Sequence, residues 1–393
     1  MATIQKNSFC RIGSTAAATA AILAATGCDS RPAAAPPTSA APVAAASPAT
    51  QPAAPTAAPA SAPPPQVTSK PWTPGDEPIA DNADFLKRPT EGAIVRVVSY
   101  NSHWDDIFPD KSKVRPERFA RIFRALDADV WALQEIGEHT AEQTVALANS
   151  IRPLEGGATW HAHQANKQIV LSRFPIKQTA GSFNPPSYRD ATIALIDLPD
   201  GQFPADLCIL NNHFKCCDGE KNDPIRQKQA DANMSWIHDA QEEGGKITFP
   251  EGTAFIVCGD FNLVGGRGPL TTVETGNIAD EQTYGADFEP DWDGTAFTVL
   301  PLKHNGIGPE YTWRNDNDKW PPNRLDYMVY SDSVLRAKNA FLLNTATIAD
   351  AALESVGLKK WDVALDDGFG QFDHFPLVAD FEVVKPDTTA DQP

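Results

Sequence analysis

Five runs of apolar residues in this chain end in polar side chains: VVSYN on Asn101, VWALQE on Glu135, ILNNH on His213, FIVCGDFN on Asp260 and Asn262, and NRLDYMVY around Asp326. A sixth segment, FDHFPLVADF, opens an apolar run instead of closing one, with Asp373 and His374 at its start. Short apolar runs bounded by turn residues read as buried strands. Strands that end together deliver their terminal side chains to one rim of a sheet, where α/β enzymes place their sites. Singly, each such end is an ordinary solvated rim residue or turn. Six of them together are hard to explain that way.

Strands are expected at 94–100, 130–134, 168–172, 191–198, 207–212, 254–258, 324–330, 340–343 and 376–382, and helices at 115–126, 141–151 and 224–240. In the first helix Phe119, Ile122, Phe123 and Leu126 repeat at a spacing of three and four, which makes one apolar stripe. Early helices alternate with strands, whereas later strands follow one another across long loops. That mixture predicts an α/β domain with mixed sheets. Asp223 before Pro224 reads as an N-cap with proline at the first helical position. Arg226 and Lys228 then read as cations on a solvated helix face.

The N-terminus has a different character. Lys6 and Arg11 precede an uncharged, Ala-rich stretch that is too short to span a bilayer, the pattern of an export signal over 1–27. It ends in Ala25-Thr26-Gly27-Cys28, which resembles the acylation site of bacterial lipoproteins, with Cys28 as the lipidated residue. The competing reading is an ordinary signal peptide cut near Ala25. Residues 28–80 follow as a tether rich in Ala and Pro, with almost no large apolar side chain to offset the entropy of ordering. At ~3 Å per residue it reaches up to ~140 Å. The folded domain is expected over 90–385, with a tail at 386–393. These features predict an extracytoplasmic, membrane-anchored lipoprotein and a monomer.

Charge narrows the range of partners. The chain carries 33 Lys+Arg against 51 Asp+Glu, a net −18, and losing residues 1–27 removes Lys6 and Arg11, which brings it to −20. Tight non-specific binding to nucleic acid needs clustered cations, so that class is disfavoured. A polyanionic substrate is not, because a bound divalent cation inverts the local potential.

Hydrolysis of a phosphoester explains the residue types at the six strand ends. It needs neutralised phosphoryl oxygens, an activated water and a stabilised leaving group. Mg²⁺ takes one or two carboxylates and keeps several waters, and Glu135 and Asp373 suit that role. Asp260 can orient or deprotonate the water, while Asn101, Asn262 and His213 can contact phosphoryl oxygens. Asp326 can orient His374 and keep it cationic.

In order along 92–383, the set Asn101, LQE135, NH213, GDFN262, RLDY and DHFPLVADF resembles the signature of the endonuclease/exonuclease/phosphatase superfamily, which includes deoxyribonuclease-I-like nucleases, abasic-site endonucleases, neutral sphingomyelinases and inositol-polyphosphate 5-phosphatases. The resemblance implies a four-layer sandwich of two mixed β-sheets flanked by helices. It implies Mg²⁺, with Mn²⁺ as an alternative, held by Glu135, Asn101 and Asp373. It further implies Asp260 positioning the water, Asn262 and His213 on the phosphate, and His374 paired with Asp326. Phe372 stands where the family often has Ser, and His103 where some nucleases carry an acidic metal ligand.

Around this set, Arg189 and Lys215 are candidate phosphate contacts, with a plain surface role as the alternative. Trp313 reads as a packing residue. Cys208 and Cys258 fall within buried strands and read as small apolar residues, while Cys216-Cys217 is a loop pair just past His213. The function expected is a metal-dependent phosphoester hydrolase in which an activated water attacks phosphorus, with a nuclease or phosphodiesterase first. The alternatives are a phosphatase or phospholipase acting on inositol phosphates, lipid headgroups or sugar phosphates, and a catalytically silent binding protein.

Overall fold

The computed structural model describes residues 77–217, 219–316, 320–363 and 372–385, all within the compact unit formed by 61–393. The export signal, Cys28, nearly all of the tether and the tail at 386–393 lie outside the described residues. No described helix is long and apolar enough to cross a membrane.

Twelve strands build two six-stranded sheets. They are β1 (Ile94–Asn101), β2 (Val130–Gln134), β3 (His161–Ala165), β4 (Gln168–Ser172), β5 (Ile176–Ala180), β6 (Thr192–Ile196), β7 (Leu207–His213), β8 (Ala254–Asp260), β9 (Thr298–Val299), β10 (Asp326–Tyr330), β11 (Leu335–Leu342) and β12 (Leu377–Val383). The first sheet runs β11-β12-β1-β2-β4-β3 and the second β5-β6-β7-β8-β10-β9. Each has one parallel pair at its centre, β1 with β2 and β7 with β8, and antiparallel neighbours outside it.

The helices are α1 (Arg115–Leu126), α2 (Ala141–Ile151), α3 (Gly219–Gln241), α4 (Gly268–Thr275), α5 (Glu281–Tyr284) and α6 (Asp350–Ser355). The predicted stripe of α1 is buried, and Phe123 stacks on Trp131 of β2 at 4.7 Å between centroids. Thr140 and Gln143 close a reciprocal capping box at the start of α2. On the far side, Ala230, Met234 and Ile237 of α3 join Cys208, Leu210, Phe255 and Val257 in one core. The opposite faces of β7, β8 and β10, through Ile209, Ile256 and Met328, join Val97, Ala132 and Val170 of the first sheet in another. The result is the four-layer sandwich, helices outside and two mixed sheets inside.

Strand periodicity fixes where the polar ends point. Side chains alternate along a strand, so with Ile209, Ile256 and Met328 facing the other sheet, His213, Asp260 and Asp326 do too. A polar clasp ties the two sheets beside them. The Gln134 amide donates to Asn211 Oδ1 at 2.7 Å, and Asn211 Nδ2 donates to the Leu133 and Ile169 carbonyls at 2.9 and 3.0 Å.

One helix departs from expectation. α3 begins at Gly219, so Pro224 lies inside it and Asp223 is no N-cap. The Asp223 carboxylate instead accepts from Arg226 at 2.6 Å and from Gly266 N–H at 3.0 Å. Nor is Arg226 solvated. It is fully buried and donates to the Lys215 and Gly219 carbonyls. Lys228 is exposed, as expected.

Candidate active site

Three of the other strand ends converge on one oxygen of Asp260. In register, β8 aligns Asp260 with His213 of β7 on one side and with Asp326 of β10 on the other. Asp260 Oδ2 lies 3.2 Å from Asn101 Nδ2, 3.7 Å from His213 Nε2 and 3.7 Å from His374 Nε2. Gly259 makes the approach possible. Its φ is +128°, and a Cβ there would meet the Asn212 carbonyl oxygen at 2.0 Å.

Glu135 directly follows β2 with φ +65°, a left-handed conformation unusual for a residue with a Cβ. The backbone thereby breaks the strand's alternation and brings the carboxylate to the inter-sheet site. Glu135 Oε1 accepts from Asn101 Nδ2 at 3.1 Å and lies 3.8 Å from His213 Nε2, while Oε2 accepts from Trp104 N–H at 3.1 Å. Asn262 has φ +50° and turns back, so that its N–H donates to Asp260 Oδ1 at 2.9 Å and its amide to the Phe214 carbonyl at 3.2 Å.

The pairing of Asp326 with His374 depends on residues 312–314, which bridge to both Asn323 and His374. His374 Nδ1 lies 2.8 Å from Asp326 Oδ2, and Thr312 Oγ1 donates to the same oxygen at 2.7 Å. Thr312 Oγ1 also accepts the N–H of Leu325 and Asp326. Next to it, the Trp313 indole N–H donates to Asp373 Oδ2 at 3.0 Å. Trp313 thus holds a site carboxylate, and reading it as packing alone was incomplete. Thr312 carried no signal in the sequence, because its importance comes from which strands it happens to bridge.

Electrostatics divide the two histidines. Burial opposes charge on His374, but the Asp326 and Asp260 carboxylates, the bond to Asp326 and the nearby Asp373 outweigh it and push its pKa well above the ordinary value. That direction favours the imidazolium. His213 goes the other way, since burial and the positive charges of Arg189, His374 and Lys167 all keep it neutral. Burial pushes the Asp260 carboxyl up to about 8; Asp326 and Glu135 add to the rise, while His374 and the Asn262 N–H oppose it.

That elevation is chiefly the effect of burial, to which the neighbouring carboxylates add. Asp260, Asp326 and His374 each offer one ligand atom, all within 4.8 Å of one another, a buried acidic triad that could bind a metal. Asp326 Oδ1 is buried and has no hydrogen-bond partner among the described residues. Carboxylate oxygens suit a hard divalent cation, and those of Asp260, Asp326 and Glu135 gather here, so the carboxylates present fit one.

The other candidates are placed as follows. Arg189 donates to the His213 carbonyl at 3.1 Å. Lys215 Nζ donates to the Cys216 carbonyl at 3.3 Å and is half-buried. His103 Nδ1 lies 2.8 Å from Asp106 Oδ2, beside Arg115. Cys208 and Cys258 are free and buried, and Cys216 and Cys217 are free and exposed.

The sequence pattern of the Endonuclease/Exonuclease/phosphatase family matches residues 98–346. It spans Asn101 through Asp326; Asp373 and His374 lie beyond it. No curated protein sequence matches the chain. Among solved structures, the chain is similar to ANGEL2, a 2′,3′-cyclic phosphatase in complex with adenosine-2′,3′-vanadate (17% identity, TM-score 0.48, 76% of this chain and 99% of that one). It is also similar to an endonuclease/exonuclease/phosphatase from Bacteroides vulgatus (13%, TM-score 0.47, 74% and 99%) and to the human Nocturnin catalytic domain (16%, TM-score 0.43, 75% and 96%). With two six-stranded mixed sheets, a buried acidic centre between them and a family match over most of the domain, the chain belongs to the endonuclease/exonuclease/phosphatase family of metal-dependent phosphoric ester hydrolases.

Proposed function

We propose that this protein is an extracytoplasmic, Mg²⁺-dependent phosphodiesterase of the nuclease type, anchored to a membrane through Cys28. The observation that carries the chemistry is the convergence of Asn101, His213 and His374 on a single Asp260 oxygen. Glu135, Asn101 and Asp373 would hold the cation, which when bound neutralises charge on the phosphoryl oxygens.

The chain's own residues supply the rest. Asp260, on whose Oδ2 Asn101, His213 and His374 converge, orients the attacking water and takes up its proton. The neutral His213 and the Asn262 amide offer N–H groups to the phosphoryl oxygens without adding charge. The His374 imidazolium, held by Asp326, stabilises the negative charge that develops in the transition state. No side chain forms a covalent intermediate.

The decisive experiment is a panel assayed with Mg²⁺, with Mn²⁺ and with EDTA: bis-(4-nitrophenyl) phosphate, single-stranded DNA, RNA, inositol phosphates and sphingomyelin. Diester and nucleic-acid cleavage that EDTA abolishes is expected. Turnover confined to inositol phosphates or sphingomyelin would replace the nuclease reading with the phosphatase or phospholipase one. For the anchor, Cys28→Ser is expected to release the protein from the membrane fraction with its specific activity intact. Mass spectrometry finding an unmodified mature N-terminus in the unsubstituted protein would refute the anchor.

A further inference from the structure

Two aromatic side chains stand in water beside the site. Trp104 is 61% exposed and Tyr188 58% exposed. Neither exposure is an accident of a loose loop. The Trp104 N–H is the donor that holds Glu135 Oε2 at 3.1 Å, so the indole is tied to a site carboxylate through its own backbone. Tyr188 adjoins Arg189, whose guanidinium is bonded to the His213 carbonyl.

Both loops are braced by an aspartate. His103, Trp104 and Asp105 are three successive residues in left-handed conformation, with φ of 55°, 53° and 63°. Side chains with a Cβ disfavour that geometry, and it persists only where the surroundings over-determine it. Here the Asp105 carboxylate collects the N–H groups of Gly137, Glu138 and His139. The Tyr188 loop is built alike, since Asp190 accepts from Phe183 N–H, Ser187 N–H and the Ser187 hydroxyl at 2.7–2.8 Å. Each aromatic also has cations at its face. Lys167 Nζ lies 5.8 Å from the Trp104 ring centroid, and Arg189 Cζ and Lys215 Nζ lie 5.8 Å from that of Tyr188. The charges of Lys167 and Arg189 both reach His213, so the two aromatic–cation groups border one site.

We propose that Trp104 and Tyr188 are stacking platforms for unpaired nucleobases flanking the scissile phosphodiester, which makes the substrate a single-stranded nucleic acid. The proposal rests on the phosphodiesterase reading and deepens it. A planar base has a face for an indole or a phenol, and the adjoining cations take the phosphates on either side. Duplex substrates hide those faces within their own stack. The rest of the chain agrees. At a net −18 it has no general charge attraction for long polyanions, so stacking on pre-braced aromatics must provide most of the affinity.

The test is binding of the full-length chain, in EDTA so that nothing is cleaved, to a labelled single-stranded oligothymidylate and to an abasic oligomer of the same length and charge. The unsubstituted protein is expected to favour the base-bearing strand by roughly tenfold or more. Trp104→Ala and Tyr188→Ala should each remove most of that preference, and Trp104→Phe and Tyr188→Phe should retain most of it, with circular dichroism reporting the fold. Should Trp104→Ala fail to fold, Trp104→Phe and the Tyr188 pair still decide the matter. Equal binding of the two strands, binding of neither, or a preference untouched in both alanine variants would overturn the platforms. Bis-(4-nitrophenyl) phosphate separates that failure from the other, because a chain that hydrolyses it retains the phosphodiesterase reading, and one that hydrolyses no diester loses both.

Discussion

At the scale of single residues, Asp326 and His374 lie 48 positions apart and act through one hydrogen bond of 2.8 Å. Asp326→Asn keeps the shape of the side chain and removes the charge that holds the imidazolium. Turnover is expected to fall roughly 10²-fold, as for a lost electrostatic stabiliser. His374 has a raised pKa and acts while protonated, so activity is lost as pH rises through that value; without Asp326 the loss comes earlier, and the alkaline limb of the pH–rate profile moves to lower pH. His374→Ala should cost at least as much, and the double variant little more. Additive losses in that cycle would show two independent residues. Glu135→Gln, read by metal titration of activity, is expected to raise the Mg²⁺ requirement sharply. All of these positions were legible in the sequence because few side chains can do this chemistry and each sits at one end of an apolar run. Thr312 and the second role of Trp313 were not legible, since a threonine or an indole earns no notice until its partner across the fold is known.

Among the elements, α1 and α2 run over the residues their periodicity indicated, 115–126 and 141–151, because one buried stripe and clear ends leave little freedom. β5 went unread. Ile176–Ala180 is an edge strand with its middle three residues exposed, and it has no apolar alternation to notice. The error at α3 has the same origin, since proline is a weak guide when the preceding turn is held by the buried Arg226. The loop after β1 was equally silent, although it positions Glu135. Asp105→Ala should destabilise the fold by roughly 1–3 kcal/mol, the cost of orphaned buried donors, and should also raise the metal requirement, because the Trp104 N–H would no longer be fixed on Glu135. Burial raises the Asp105 pKa, but the backbone N–H bonds of Gly137 and His139, with those of the His139 side chain and Glu138, outweigh it and lower the net value. Its contribution is therefore present above the unfolded carboxyl value of about 4 and lost as pH falls below it. Urea denaturation at neutral and at acid pH checks the sign: the gap between the two proteins should narrow in acid.

For the whole molecule, the succession of elements indicated mixed sheets and the strand ends a shared rim, while the count of two sheets came from the family resemblance; none of these gave the order of the strands or what joins the sheets. That joint combines an apolar core with a polar clasp. Asn211→Ala would remove the shortest bond of the Gln134 amide and the side-chain donor to the Leu133 and Ile169 carbonyls. A loss of roughly 1–3 kcal/mol is expected, measured by thermal unfolding. Turnover should fall as well, because residues of both sheets must meet within hydrogen-bond distance. The sheet order has a further consequence. β1 lies between β2 and the last strand, β12, and Arg96 of β1 pairs with Asp380 across 284 positions of sequence. Closing so long a loop comes late and slowly in folding. Until residues 377–383 dock, the first strand has one bare edge and Asp373 and His374 have no seat. A chain that lacks this strand is therefore expected to have no hydrolytic power, and activity is expected to appear only once β12 has entered between β11 and β1.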